Sequence, residues 1–173
     1  MTPMHAACLS GNKLILRILL DHGAVHKIDK KRFMPLHYAV VKDHIHIVEF
    51  LHQGRDNPSR MDVLDESNKC RDYSLMTLAI QNGAYGVIKK LIEFSADPHE
   101  RDQEGFNYLH MAAISGHVNI FLYFMSKQVN IKALNNAGKS PLQLAEAAKN
   151  FHLINYLEKN FDLQNIYRRQ DRF

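Results

Sequence analysis

Apolar residues recur along the chain at spacings of three and four. Ile15, Leu16 and Leu19 mark one stretch, Val87, Ile88 and Leu91 another, and Ile120, Phe121 and Phe124 a third. That period predicts helices with one apolar face. Ahead of each runs a shorter segment of about two turns built on small residues, such as Ala6, Ala7, Ala112 and Ala113. Small side chains let a neighbouring helix approach closely. A turn separates the two segments at Gly11, Asp43, Gly83, Gly116 and Lys149. The longer segment stops near Gly23, Ser95 or Gln128, and a loop carrying Asp29, Asp102 or Asn135 leads on. The predicted unit is a pair of helices and a loop.

The unit returns five times. Its opening phrase is Thr2-Pro3-Met4-His5-Ala6-Ala7, echoed by Met34-Pro35-Leu36-His37-Tyr38-Ala39, Ser74-Leu75-Met76-Thr77-Leu78-Ala79, Asn107-Tyr108-Leu109-His110-Met111-Ala112 and Ser140-Pro141-Leu142-Gln143-Leu144-Ala145. Register holds downstream, where Leu19, Leu51, Leu91, Phe124 and Leu157 share one position. A hydroxyl residue followed by proline is a helix-start signal. A period near 33 residues marks a repeat architecture.

These residues resemble ankyrin repeats. The hallmarks present are the TPLH-x-A helix start, the Gly116-His117 pair between helices, the helix end Leu19-Leu20-Asp21-His22-Gly23-Ala24 and the turn Asp102-Gln103-Glu104-Gly105. The resemblance runs from Thr2 to about Phe161, and is fullest in the first, second and fourth units. The third lacks the proline and histidine, and the fifth has Gln143 in the histidine slot. The implied fold is all-α, an ankyrin-repeat solenoid of five helix-turn-helix units with projecting hairpin loops. It implies a single domain over 1–173, with repeats at about 2–33, 34–73, 74–106, 107–139 and 140–161 and a capping tail at 162–173. Each unit leans on its neighbours because it cannot bury its own apolar face. The resemblance also implies that Thr2 and His5 bond locally and tie a helix start to the neighbouring loop.

The ends and one interval depart from the template. Leu14 and Ile18 add apolar character to a first unit with no neighbour on that side. The expectation is more sequence upstream; the alternative is a natural start with an irregular cap. In the fifth unit Glu146, Lys149 and Asn150 stand where others carry apolar residues or glycine, as a capping repeat should. Leu163, Ile166 and Tyr167 suit a short helix covering that unit, and Arg168, Arg169 and Arg172 follow it into solvent, a thin signal for a basic binding peptide. The second repeat carries an insertion near 54–68, polar and holding Gly54 and Pro58, which reads as a surface loop between Gln53 and Lys69. It is either a tolerated insertion or a partner contact.

Composition changes little. The 173 residues are 46% hydrophobic and 23% charged, with a net charge of +4. That is ordinary for a globular protein and too weak a charge to predict nucleic-acid binding. No apolar run reaches the length of a membrane span, and no leader is visible. Cys8 and Cys70 cannot frame a small disulfide scaffold and sit in no CxxC, which fits a reducing, intracellular setting, cytoplasmic or nuclear.

Eleven histidines raise a metal site, but the pattern disperses them. His5, His37 and His110 occupy the helix-start slot, and His44 and His117 follow the turn. His44 and His46 are expected on two sides of a helix, and His22 and His26 across a turn. No GxSxG, P-loop, GxGxxG or HExxH occurs. The expectation is no catalysis, no metal and no cofactor.

A surface remains. The residue before each helix start is Phe33, Tyr73, Phe106, then Lys139, and three aromatics at one position would line a groove edge. The resemblance places Leu9, Val41, Gln81, Ile114 and Ala147 on the concave face beside them. Lys30, Lys31 and Arg32 form a basic fingertip that could steer an acidic peptide. The alternative is that each ring covers its own hairpin and packs on the next finger, and that the basic run is a solvated end. The expected function is a protein–protein interaction scaffold that binds another protein or peptide through the concave face and finger loops. No small-molecule substrate, nucleic acid or membrane insertion is expected. The competing reading is a regulatory or inhibitory segment of a larger protein, such as a channel, an acyltransferase, or a kinase or transcription-factor regulator.

Overall fold

The computed structural model describes residues 1–52 and 74–161. Cys70, Tyr73, the insertion near 54–68 and the tail 162–173 lie outside the described residues. Ten helices and no strand are found among the described residues, with one antiparallel bridge between Arg101 and Asn107. The fold is all-α, built of helix-turn-helix units with projecting hairpin loops.

Contacts divide the chain into two compact units, Met1–Ala96 and Asp97–Phe173. The first holds three helix pairs: α1 (Pro3–Ser10) with α2 (Lys13–Asp21), α3 (Pro35–Val41) with α4 (Ile45–His52), and α5 (Leu75–Gln81) with α6 (Tyr85–Glu93). Within it α1 packs on α3 and α3 on α5, while α2 packs on α4 and α4 on α6. The second holds α7 (Tyr108–Ser115) with α8 (Val118–Ser126) and α9 (Pro141–Ala147) with α10 (Phe151–Asn160). There α7 packs on α9 and α8 on α10.

Each first helix starts on a local lock. The backbone N–H of Thr2 donates to His5 Nδ1 (3.0 Å), that of Met34 to His37 Nδ1 (2.9 Å) and that of Asn107 to His110 Nδ1 (3.1 Å). Ser140 N–H donates instead to Gln143 Oε1 at 2.9 Å, and Ser74 Oγ accepts from Thr77 N at 3.2 Å. The fifth unit therefore satisfies the same donor with a glutamine, and the third satisfies a different orphan donor, Thr77 N–H, with a serine hydroxyl. Close packing between first helices follows from alanine: Ala7, Ala39, Ala79, Ala112 and Ala145 are all buried.

The turn between paired helices needs a left-handed residue. Gly11 has φ 70° and Gly116 φ 73°, and Asp43 and Lys149 adopt φ 54° and 58° at the same position. Gly11 has a second reason to lack a side chain, since a Cβ there would meet the His44 ring at 2.9 Å. Polar ties then join successive pairs. His44 Nε2 donates to Leu9 O (3.0 Å) and His46 Nε2 to Gly11 O (2.8 Å). The Asp43 carboxylate accepts from Gly86 N (3.2 Å) and Val87 N (2.7 Å), capping α6 from the preceding pair. In the second unit Asn150 Nδ2 donates to Ala113 O and Ile114 O, both at 2.7 Å.

Candidate partner-binding surface

Three fingers are described, at 29–33, 102–106 and 135–139, and one device builds all of them. The residue at the base closes the hairpin through its own N–H, which donates to the last carbonyl: Asp29 to Phe33 O (2.8 Å), Asp102 to Phe106 O and Asn135 to Lys139 O (both 3.0 Å). Its side-chain Oδ1 then accepts from two backbone amides across the tip. Asp29 takes Lys31 N (2.8 Å) and Phe33 N (3.0 Å), Asp102 takes Glu104 N (3.0 Å) and Phe106 N (2.8 Å), and Asn135 takes Ala137 N (3.1 Å) and Lys139 N (2.9 Å). Asp and Asn suit the position because a short side chain reaches amides two residues on.

A histidine fixes two of the three fingers to the helix before them, and the finger at 102–106 follows the repeat that has Thr77 in that slot. His5 Nε2 donates to Phe33 O at 2.9 Å and His110 Nε2 to Lys139 O at 3.1 Å. Within the second unit the two fingers are also bonded to each other: Asn136 N donates to Glu104 O (2.9 Å) and Asn136 Nδ2 to Gln103 O (3.0 Å). The tips are held rigidly by groups at their bases.

The residues expected at the surface divide into three kinds. Phe33 and Phe106 are half-buried, each leaning edge-on against the histidine of the helix it precedes: Phe33 to His37 at 5.4 Å and Phe106 to His110 at 5.6 Å between centroids. Phe33 also touches Tyr38 at 5.7 Å, a staple across the start of α3. These rings pack on the start of the repeat that follows them. Phe33 lies in the first unit and Phe106 in the second, and Tyr73 lies outside the described residues. Leu9 and Val41 are half-buried on α1 and α3, whereas Gln81 ends α5 exposed and Ile114 stands 45% exposed on α7. Lys30, Lys31 and Arg32 are all exposed at the first fingertip. Arg32 holds φ 64°, where the other described fingers use Gly105 and Gly138.

Two tyrosines escaped the sequence reasoning. Tyr38 OH donates to Asp29 Oδ2 at 2.7 Å and Tyr108 OH to Glu100 Oε2 at 2.6 Å. Each follows the histidine slot by one residue or precedes it by two, so no shared position announced them. Desolvation, the largest single influence, would raise the Asp29 carboxyl, but hydrogen bonds from Tyr38 and from the Phe33 and Lys31 amides together outweigh it and hold the pKa at about 2. His44 and His46 also differ from expectation. Their rings lie 5.7 Å apart, and both donate back to the preceding pair. The turn at Asp43 brings the first of them onto the same edge as the second.

Cys8 is fully buried, and burial pushes its thiol up to about 12, so little thiolate forms near neutrality. No cluster of three or more metal-ligating side chains occurs among the described residues, and no helix among them is long and apolar enough to cross a membrane.

Comparison with known proteins agrees with this geometry. A family model described as ankyrin repeats, three copies, matches residues 1–62 and 75–166. The chain is 29% identical to a putative palmitoyltransferase ZDHHC13 of Danio rerio over 123 residues, which is 70% of this chain and 18% of that protein. It is 29% identical to alpha-latrocrustotoxin-Lt1a of Latrodectus tredecimguttatus over 68% of the chain and 8% of the toxin. It is 28% identical to Rabankyrin-5 of Mus musculus over 85% of the chain and 12% of that protein. The chain thus spans less than a fifth of each of these relatives.

Proposed function

We propose, from the premise that this chain belongs to the ankyrin-repeat family, that within each compact unit the fingertips and the exposed residues of the first helices form a partner-binding surface. Ankyrin repeats are non-catalytic and mediate protein interactions. The finer reading is a scaffold, not an enzyme, working inside the cell with its five repeats as one domain and binding a protein or peptide without a cofactor.

The rigid finger carries this reading. One Asp or Asn side chain at each base holds the backbone of its tip, so the tip is ordered before a partner arrives. A preorganised surface loses less free energy to ordering when a partner binds. Ile114 supplies an exposed apolar anchor, with Leu9 and Val41 at its counterparts, and Lys30, Lys31 and Arg32 supply positive charge that favours acidic partners. The aromatic residues Phe33 and Phe106 contribute chiefly by supporting the finger.

A photo-reactive amino acid at Ile114 tests the assignment, with the same probe at exposed Glu158 of α10 as control. The expected result is partner capture from Ile114 and not from Glu158 and, in a separate arm, weaker partner binding when the charges of Lys30, Lys31 and Arg32 are reversed with thermal unfolding unchanged. Equal capture at both positions would remove the surface from consideration.

A second reading is favoured by the relatives, all of them much longer and one named a palmitoyltransferase. On it the repeats are a regulatory segment of a larger protein, and the length of the mature transcript decides between the two.

A further inference from the structure

We propose that the open edge of the first helix pair is a docking face for a further ankyrin repeat, laid ahead of α1 and α2 in the register the later repeats use. Apolar side chains stand in solvent here: Leu14, Ile15 and Ile18 on α2, and Val25 and Ile28 just beyond it. Ile15 decides the matter. It is 47% exposed, while Ile47, Val87 and Leu153, which hold the same place in their repeats, are 0% exposed. In the first unit α2 covers α4 and α4 covers α6, and in the second α8 covers α10. The position is built for burial under a preceding second helix.

The neighbouring positions say what the occupant offers. Asn12 matches His44 and Asn150, which reach back to carbonyls at the end of the preceding first helix: Leu9 O at 3.0 Å, and Ala113 O and Ile114 O at 2.7 Å. Asn12 Oδ1 accepts from Ile15 N at 3.0 Å, and its amide NH2 makes no hydrogen bond among the described residues. Leu14 matches His46, which donates to Gly11 O of the preceding pair at 2.8 Å, and Gly86, which lies against Ile45 of the preceding pair. Ile18 matches Phe50, whose ring takes Lys13 Nζ of the preceding pair at 5.2 Å. The partner therefore brings unpaired carbonyls at a first-helix end and an apolar residue opening its second helix. An ankyrin repeat presents that set on its trailing edge. A lone amphipathic helix would cover the apolar side chains but would leave the Asn12 amide without carbonyls at the right spacing.

The test replaces Met1 of the full chain with a second copy of residues 107–139, the repeat whose trailing edge already receives Asn150. A single repeat cannot bury its own apolar face, so the added segment folds only by docking. The expected result is helical signal for one more pair, lost in a single transition at a higher urea midpoint, with amide exchange in α2 slowed by about tenfold or more. Leu14→Lys with Ile18→Lys should abolish both gains in the extended chain and leave the midpoint of the original chain unchanged. An added segment that stays unstructured overturns the proposal, and so does a gain that survives the double substitution. Concentration-dependent dimerisation of the original chain, broken by Leu14→Lys, would give the face to a second copy and overturn it equally.

Discussion

His110 uses both ring nitrogens, and the bond at Nδ1 demands the neutral ring. Nδ1 accepts from Asn107 N–H and Nε2 donates to Lys139 O, both at 3.1 Å. A proton on Nδ1 would give up the Asn107 N–H and turn instead to Asn107 Oδ1, 2.7 Å away. Desolvation, the largest influence, lowers the pKa of this fully buried ring below its ordinary 6.5. The folded state then binds fewer protons than the unfolded state once the pH drops below that value. The ring's contribution to stability is complete above about pH 6.5 and is lost as pH falls through the lowered folded value. His110→Gln keeps the helix-start acceptor, as Gln143 does in the fifth unit. It should cost about 1–2 kcal/mol at pH 7.5 through the lost tie to Lys139. Urea unfolding of both proteins from pH 7.5 to 5 should show a shallower decline for the variant, and parallel declines would refute the role given to this ring. The slot itself was legible, because the repeated phrase put a histidine there. Tyr38 and Tyr108 were not, because their partners Asp29 and Glu100 hold no common place in the template.

Fingers show the same division at the scale of an element. The turn Asp102-Gln103-Glu104-Gly105 announced one finger, and Asp29 and Asn135 marked the others. The aromatic row was read less well. A residue before a helix start can point outward or fold back over the first turn, and spacing alone does not choose. Phe33 folds back on His37 and Tyr38, which lowers the apolar area it shows. Asp29 carries the finger, with Oδ1 on two amides and Oδ2 on Tyr38. Asp29→Asn should be mild, because Asn135 does the same task. Asp29→Ala should cost about 1–2 kcal/mol, in line with the loss of a cap. The acid dependence follows from a carboxyl held at about 2 against an ordinary 3.8. Its contribution is present above about pH 4 and disappears as pH falls towards 2. Thermal unfolding across that range should converge for the wild type and Asp29→Ala at the acid end. A constant gap down to pH 2 would show that the carboxylate is not the stabilising group.

For the whole molecule, the five-fold phrase disclosed the architecture, because a repeat fixes its own contacts and its neighbour's together. What it could not disclose was which copy of a position is covered. Ile15 and Ile47 are the same residue at the same place, yet one is half in solvent and the other fully buried. Burial belongs to a pair of elements, and sequence describes them one at a time. The same logic predicts how damage spreads within Met1–Ala96. Leu16 is fully buried, and α1 and α2 pack on α3 and α4, which in turn pack on α5 and α6. Leu16→Ala leaves a cavity and should remove about 2–5 kcal/mol from the first pair. If stability is a sum over repeats and their shared faces, the loss is graded along the stack. Hydrogen exchange should quicken most in α1 and α2, less in α3 and α4, and least in α5 and α6. Uniform quickening across all six helices would mean that the unit unfolds as one indivisible core, and the nearest-neighbour account of this protein would fail.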